Sequence, residues 1–419
     1  MKERIKRVAQ NPLILGSAVI FFGTLFANFL NFLFNFYMTR NMTVSDYGIL
    51  SSLVSVIMLS ALTSDSFAPT IVHFSGGFFA RKETEKVIGL FHELNRYFLA
   101  LGILILALFL VFGKYIGIFF KIEDQFLVIL VGIIVFINLL GTVNRGILQA
   151  KLSFRYISFI YICSSFVKLV IGISLVILGF RVKGPLWAFI ISFSVAYFLT
   201  FFPLKFLLKR EGKTSGVRIG EIVSYAAPAT LSLVGLTSFI STDILLVKHF
   251  FSSDDAGIYA GISLLGRIIY FFTAPITMVL FPLIVQRNTR GEKYIHLLKL
   301  GGLLVFLCSF AITISYYLFP DFFIKIILKR EEYLIGIPFL GLFGIFMIIY
   351  SLLFLITNFY LSIKKTKVFL VILFFAFLQG ILIWFYHETF QNIVLISIFS
   401  CLIPLSLFIL HLAFYGKNK

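Results

Sequence analysis

The stretch "YFLALGILILALFLVFG", Tyr97 to Gly113, carries no charge over seventeen residues, and comparable apolar runs return along the whole chain. Helical runs of about twenty apolar residues, separated by short charged clusters, match the thickness of a bilayer's hydrocarbon core. The composition agrees: 60% of the 419 residues are hydrophobic, 13% are charged, and the mean hydropathy is +1.03. A soluble domain of this size has no use for so much apolar surface. The expected fold is all-α, a polytopic membrane protein of twelve spans near 13–37, 47–72, 90–112, 126–148, 156–180, 184–206, 222–247, 257–285, 296–319, 334–361, 367–386 and 391–414.

The first apolar run, Leu13 to Tyr37, exceeds a signal-peptide core and lacks a small-x-small cleavage site, so it reads as a retained span behind the basic arm "MKERIKRVAQNP". Cys163, Cys308 and Cys401 each lie inside an apolar run without a CxxC partner and are expected to be buried small residues. The net charge of +18 must be sorted by membrane side before it can suggest a nucleic-acid partner. Lys and Arg crowd the N-terminal arm, alternate loops and the tail, as in Lys2, Arg4, Lys6 and Arg7 or Lys205 to Arg218. The intervening loops hold fewer, such as Arg40, Lys114, Lys121, Arg181 and Lys183. By the positive-inside rule both termini are expected in the cytoplasm, and the basic excess sets topology.

Two short polar breaks then echo one another. "TVSDYG" at Thr43–Gly48 returns as "SSDDAG" at Ser252–Gly257, Pro69 in "FAPT" pairs with Pro275 in "TAPI", and Lys121 in "KYIGIFFK" pairs with Lys329 in "FFIKIILK". The separations, 209 residues for Asp46 to Asp255, 206 for the prolines and 208 for the lysines, are nearly constant, which marks a duplication. Six spans per half give two lobes of like orientation, 1–208 and 222–419, joined by a basic cytoplasmic linker at 209–221. Transporters that rock one half against the other use this plan. In the polar breaks the glycine is expected to permit a tight turn, and Pro69 and Pro275 to bend their helices.

No GxxxxGK[ST] loop, HExxH, metal cluster or serine-nucleophile motif occurs, so neither an ATP-driven pump nor an enzyme is expected, and no cofactor. Function is sought where the membrane makes residues expensive. A charge at the bilayer centre costs about 2.5–3.5 kcal/mol on insertion scales, so it normally faces protein or a wet cavity. Lys168 and Arg267 fall near mid-span, Arg145 and Arg96 deeper than ordinary loop charges, and all four are candidates for binding an anionic passenger. Glu93 and Arg96 could instead form a structural pair, and Arg145 could simply snorkel to the headgroups. Asn28, Asn31 and Asn35 form a polar stripe on the first span, able to bond sugar hydroxyls or to hold a helix contact. Asp65 and Asp243 are the buried acids and the candidates for ion coupling.

The end of the first span, "FYMTRNMTVSDYGILSSLVSV", its duplicate, and the basic turn "LQAKLSFRY" resemble the Wzx-type polysaccharide flippases of the multidrug/oligosaccharidyl-lipid/polysaccharide (MOP) transporter superfamily. The resemblance extends over the chain through its twelve-span layout. It implies a two-lobed, MATE-like transporter in the bacterial cytoplasmic membrane, moving a polyprenyl-diphosphate-linked oligosaccharide from the cytoplasmic to the outer leaflet. It further implies a cationic cavity, to which Arg267 and Lys168 correspond by character, a proton or sodium gradient or the membrane potential as driving force, and polysaccharide assembly enzymes as candidate partners. The alternatives are a multidrug or organic-cation antiporter, which would present a more acidic pocket, and a membrane polymerase or ligase, which would need catalytic residues in an outer loop.

Overall fold

A computed structural model describes residues 12–208, 219–289, 292–363 and 365–415. The basic N-terminal arm, the tail lysines Lys417 and Lys419, and most of the 209–221 linker lie outside the described residues, as does the side chain of Asp65. The chain is nearly all helical: α1 Pro12–Asn41, α2 Val44–Ala80, α3 Thr84–Phe119, α4 Gln125–Ala150, α5 Phe154–Ile177, α6 Lys183–Thr200, α7 Ile219–Phe239, α8 Thr242–Phe250, α9 Ser253–Thr289, α10 Ile295–Leu318, α11 Ile337–Ser362, α12 Val368–Phe385 and α13 Phe390–Tyr415. Every expected span falls on a helix, the seventh on the α7–α8 pair. Among the described residues nine helices are long and apolar enough to cross a membrane, ten with α7–α8 taken as one span. It is a polytopic all-α membrane protein.

Two compact units divide the chain. Unit one holds Met1–Asn35 and Ser60–Thr230; unit two holds Phe36–Leu59 and Leu231–Lys419. Unit one is organised around α4, which packs against α3 and α6. Val128, Leu130, Val131, Ile134, Leu139, Val143 and Ile147 on α4 are fully buried. Unit two is organised around α11, which packs against α9, α10 and α13 and buries Leu340, Phe343, Phe346, Tyr350 and Leu353. Each bundle therefore centres on the fourth span of its half. The outer helices leave Leu104, Leu108 and Val111 of α3 and Leu303 and Leu307 of α10 exposed, as helices facing hydrocarbon do.

The echoed segments have matching local structure. Thr43 and Ser252 cap α2 and α9, their Oγ atoms accepting the backbone N–H of Asp46 and Asp255, both at 3.1 Å. An acid three residues after a Ser or Thr cap is a capping-box arrangement. Lys121 and Lys329, the other repeated pair, each take a left-handed conformation (φ 51° and 69°), Lys121 just beyond α3 and Lys329 at the end of a short helical turn, Ile324–Leu328. Ile122 N–H returns to Gly117 O at 2.8 Å and Lys329 N–H to Ile324 O at 3.1 Å.

The glycines of the echo do something the sequence did not suggest. Neither Gly48 nor Gly257 has a positive φ; both lie inside helices. Within unit two the first turns of α2 and α9 pack backbone against backbone. A Cβ on Gly48 would meet Gly257 N and Ser253 O at 2.7 Å, and one on Gly257 would meet Val44 O at 2.0 Å. The contact is reciprocal, each glycine facing the first residue of the other helix. Small residues are what allow such close approach.

α2 and α9 remain helical through Pro69 and Pro275, and the break in the seventh span comes at Ile240–Ser241, with no proline there. One further expectation changes. Cys401 is buried but Cys308 is exposed, as a residue on the outer side of α10. All three cysteines are free thiols.

At a loop end of unit one, Asp124 caps α4 by accepting from Phe126 N–H at 3.0 Å and pairs with Lys183 Nζ at 2.8 Å. The hydrogen bond from Lys183 holds its carboxyl below the ordinary aspartate range, with a smaller contribution from Phe126 N–H. A depressed carboxylate stabilises the fold above its unfolded pKa and loses that contribution as pH falls through the folded value. Asp124→Ala should lower stability by about 1 kcal/mol at neutral pH, the usual worth of a helix cap. The difference in thermal midpoint from wild type should be full at neutral pH and shrink progressively as pH falls below about 4, the ordinary aspartate value.

Candidate functional site

The most unusual backbone in unit two is the break between α7 and α8, where the axis bends by 45°. A break inside hydrocarbon frees carbonyls that water cannot satisfy, so protein groups must reach them. Gln379 Nε2 on α12 donates to Phe239 O at 3.1 Å and to Ser397 Oγ on α13 at 2.8 Å. Arg267 Nη2 on α9 donates to Ile240 O. An amide and a guanidinium from two different helices thus hold the broken segment.

Asp243 lies just beyond, in the first turn of α8, and is 1% exposed. The positive end of the α8 dipole favours a carboxylate there. Its Oδ2 accepts from Tyr259 OH at 2.9 Å, while Oδ1 is buried with no hydrogen-bond partner among the described residues. Ser241 Oγ, Ser263 Oγ, Gln379 Oε1 and Arg267 Nε are likewise buried and unfilled. Tyr259, Ser263 and Arg267 recur at every fourth residue on one face of α9. Arg267 is close enough to Asp243, Tyr47 and Tyr350 to act on each electrostatically, yet forms no ion pair with Asp243. The acid is left with an open oxygen, able to take a small cation and release it.

The other candidates lie in unit one. Lys168 is buried on α5 between the rings of Phe34 and Phe189, its Nζ 5.0 and 4.4 Å from their centroids. A cation over two aromatic faces is held by their quadrupoles. Arg145 on α4 reaches back to Asn138, donating to its Oδ1 from both Nη1 and Nη2 at 3.0 Å. Arg96 is exposed on α3. Asn28 and Asn31 are half-buried, and Asn35 Nδ2 donates to Asn31 O at 2.9 Å, a bond within the helix. Asn31 Oδ1 is buried and unfilled.

The structure therefore gathers Asp243, Ser241 and Arg267 in unit two, with Tyr259 and Gln379 as members that the sequence did not single out. Gln379 left a trace as the lone amide in "VFLVILFFAFLQGILIWF". The helix break left none.

A family profile described as "Polysaccharide biosynthesis protein" matches residues 37–331, well over half of the chain. The chain belongs to that family. Its resemblance to the Wzx-type flippases of the MOP superfamily thus holds. Solved structures agree on the fold of this polysaccharide-biosynthesis protein. The inward-facing conformation of a multidrug resistance MATE family transporter of the MOP superfamily aligns at 15% identity over 95% of this chain and 96% of that one, with a TM-score of 0.74. The MATE multidrug transporter DinF-BH aligns at 13% identity over 96% and 95%, with a TM-score of 0.69. An outward-facing MATE structure aligns at 14% identity over 97% of each chain, with a TM-score of 0.65. No curated protein matches the sequence.

Proposed function

We propose that this protein is a flippase that carries a polyprenyl-diphosphate-linked oligosaccharide from the cytoplasmic to the outer leaflet of the bacterial cytoplasmic membrane by alternating access, driven by cation exchange at Asp243. The family match over residues 37–331 carries the reading, because it joins polysaccharide biosynthesis to a chain with the fold of a membrane transporter. Surface polysaccharide built on a lipid inside the cell must cross the bilayer, and the diphosphate is its most expensive part. Arg267 is the residue assigned to that anion, Asp243 to the coupling cation; no residue is assigned a catalytic role.

A multidrug antiporter is the reading suggested by the similarity in fold to multidrug MATE transporters. Against it, Arg267 and Lys168 lie within apolar spans, and neither forms an ion pair with an acid among the described residues. Such an interior suits an anionic cargo.

Cells lacking the protein should accumulate lipid-linked glycan on the cytoplasmic face. The wild-type gene should clear it, and Arg267→Ala should clear it at least about tenfold more slowly, a loss of about 1.4 kcal/mol. Normal surface polysaccharide in a deletion strain with no second transporter would overturn the proposal.

A further inference from the structure

Arg145 has a setting of its own. It lies five residues before the end of α4, near enough for its side chain to snorkel outward, as long basic side chains do when they can. Instead the guanidinium turns back to Asn138, seven residues earlier and halfway along the helix. Seven residues are about 10 Å of helix, so the charge is directed into the span and away from the nearer surface. No acid pairs with it among the described residues.

The guanidinium lines a cavity of about 90 Å³ inside unit one, enclosed by α4, α5 and α6. Asn138, Gly141, Ser164, Tyr197 and Thr200 also line it, and no carboxylate does. Several of these polar groups are already committed. Ser164 Oγ donates to Ser192 O at 3.2 Å, and Thr200 Oγ1 donates to Tyr197 O while accepting from Asn144 Nδ2 at 2.7 Å. The bonds to Asn138 leave Arg145 with N–H groups to spare, and the Tyr197 hydroxyl makes no hydrogen bond among the described residues. The cavity thus offers donors and one full positive charge with nothing to balance them. Uncompensated cations at this depth ordinarily face a ligand or a wet pathway.

We propose that this cavity is a binding site for a single phosphoryl-sized oxyanion, supplied by a lipid headgroup or by free phosphate, which neutralises Arg145 and ties α4 to α5 and α6. The polar lining is one guanidinium with a few hydroxyl and amide groups, which suits one phosphoryl group, and the site is proposed as distinct from the Arg267 site assigned to the transported glycan. Basic pockets between membrane helices hold lipid phosphates elsewhere by the same chemistry. Lys151, in the turn after α4, donates to Pro203 O at 2.9 Å and is not needed for the site.

The test uses the full chain, purified in non-ionic detergent and stripped of lipid. Phosphatidylglycerol, inorganic phosphate and uncharged diacylglycerol are added separately, and native mass and thermal midpoint are read. A ligand bound only by the folded state raises the midpoint with its concentration. Phosphatidylglycerol or phosphate should add one molecule per chain and raise the midpoint; diacylglycerol should do neither. Response to phosphatidylglycerol alone identifies the headgroup as the source, and response to phosphate alone identifies the free anion.

Arg145→Gln should weaken binding at least about tenfold while leaving the ligand-free protein no less stable, since it removes an unbalanced charge. Gly141→Leu keeps the charge and fills the space: a Cβ there sits 3.6 Å from Arg145 Nη1, in ordinary contact, and the longer side chain enters the cavity. It should weaken binding to a similar extent. The proposal falls if neither anion binds, if Arg145→Gln binds as wild type does, or if Gly141→Leu retains full binding. None of these readouts depends on transport.

Discussion

Gly257→Ala should cost unit two about 3 kcal/mol, at the upper end of what overpacking usually does. The new methyl would stand 2.0 Å from the carbonyl oxygen of Val44, a backbone atom in the first turn of α2 that no rotamer change can move aside. Relief requires α2 and α9 to separate, which also loosens Leu50, Leu53 and Ile258, all buried. Gly48→Ala faces Gly257 N and Ser253 O at 2.7 Å and should be milder in the same direction. Gly76→Ala supplies the control, because a Cβ there meets nothing within 4 Å. That substitution should be neutral or stabilising by up to about 1 kcal/mol through helix propensity alone. Thermal midpoints in detergent decide the matter: if Gly257→Ala and Gly76→Ala melt together, the reciprocal glycine contact is not what joins these helices.

The second large effect is expected at Asp243. Asparagine keeps the shape and the bond from Tyr259 but removes the charge, and so fixes the site in its neutral form. In proteoliposomes carrying lipid-linked oligosaccharide, wild-type translocation should accelerate under an imposed proton or sodium gradient, and Asp243→Asn should lose at least about tenfold of that acceleration, or about 1.4 kcal/mol of coupling. Exchange without a gradient should be much less affected. Tyr259→Phe, which leaves Oδ2 without its donor at 2.9 Å, should shift the cation concentration needed for half-maximal rate without abolishing coupling. An Asp243→Asn protein that still responds fully to both gradients would remove this residue from the coupling machinery and leave the flippase reading standing. A neutral side chain cannot exchange a cation, so the two claims separate cleanly.

Arg267 enters the flippase proposal through one geometric fact. Its guanidinium donates to Ile240 O at the break, while its Nε remains buried and unfilled. Loss of the side chain therefore removes a charge and also strands a carbonyl. Arg267→Lys keeps the charge, loses the planar fork, and separates these two contributions. Clearance of lipid-linked glycan by Arg267→Lys at near wild-type rate would assign the role to charge, and loss equal to Arg267→Ala would assign it to the fork.

The sequence by itself determined the bilayer as solvent and the place of the apolar helices, and it showed the echo of the two capping segments. Those properties are local: twenty apolar residues need hydrocarbon whatever surrounds them, and a repeated capping box such as Thr43–Asp46 and Ser252–Asp255 forms from neighbours in the chain. The family was legible for the same reason, in a short motif set in a span pattern. Individual site residues were legible only by expense. Charge in a lipid setting drew attention to Arg267, Lys168, Arg145 and Asp243, but could not tell which were held by aromatic rings, which by an amide, and which by a broken helix.

Only the tertiary structure decided that Gly48 and Gly257 meet, since two stretches 209 residues apart carry no sign of their contact. It also decided that the seventh span breaks at Ile240–Ser241. That break has no proline to announce it; it persists because Gln379 and Arg267, from remote helices, satisfy the carbonyls it frees. The direction of Arg145 was equally hidden. A long side chain near a helix end can reach either way, and only the structure shows that it turns back to Asn138 on its own helix, at the edge of a cavity that α5 and α6 complete.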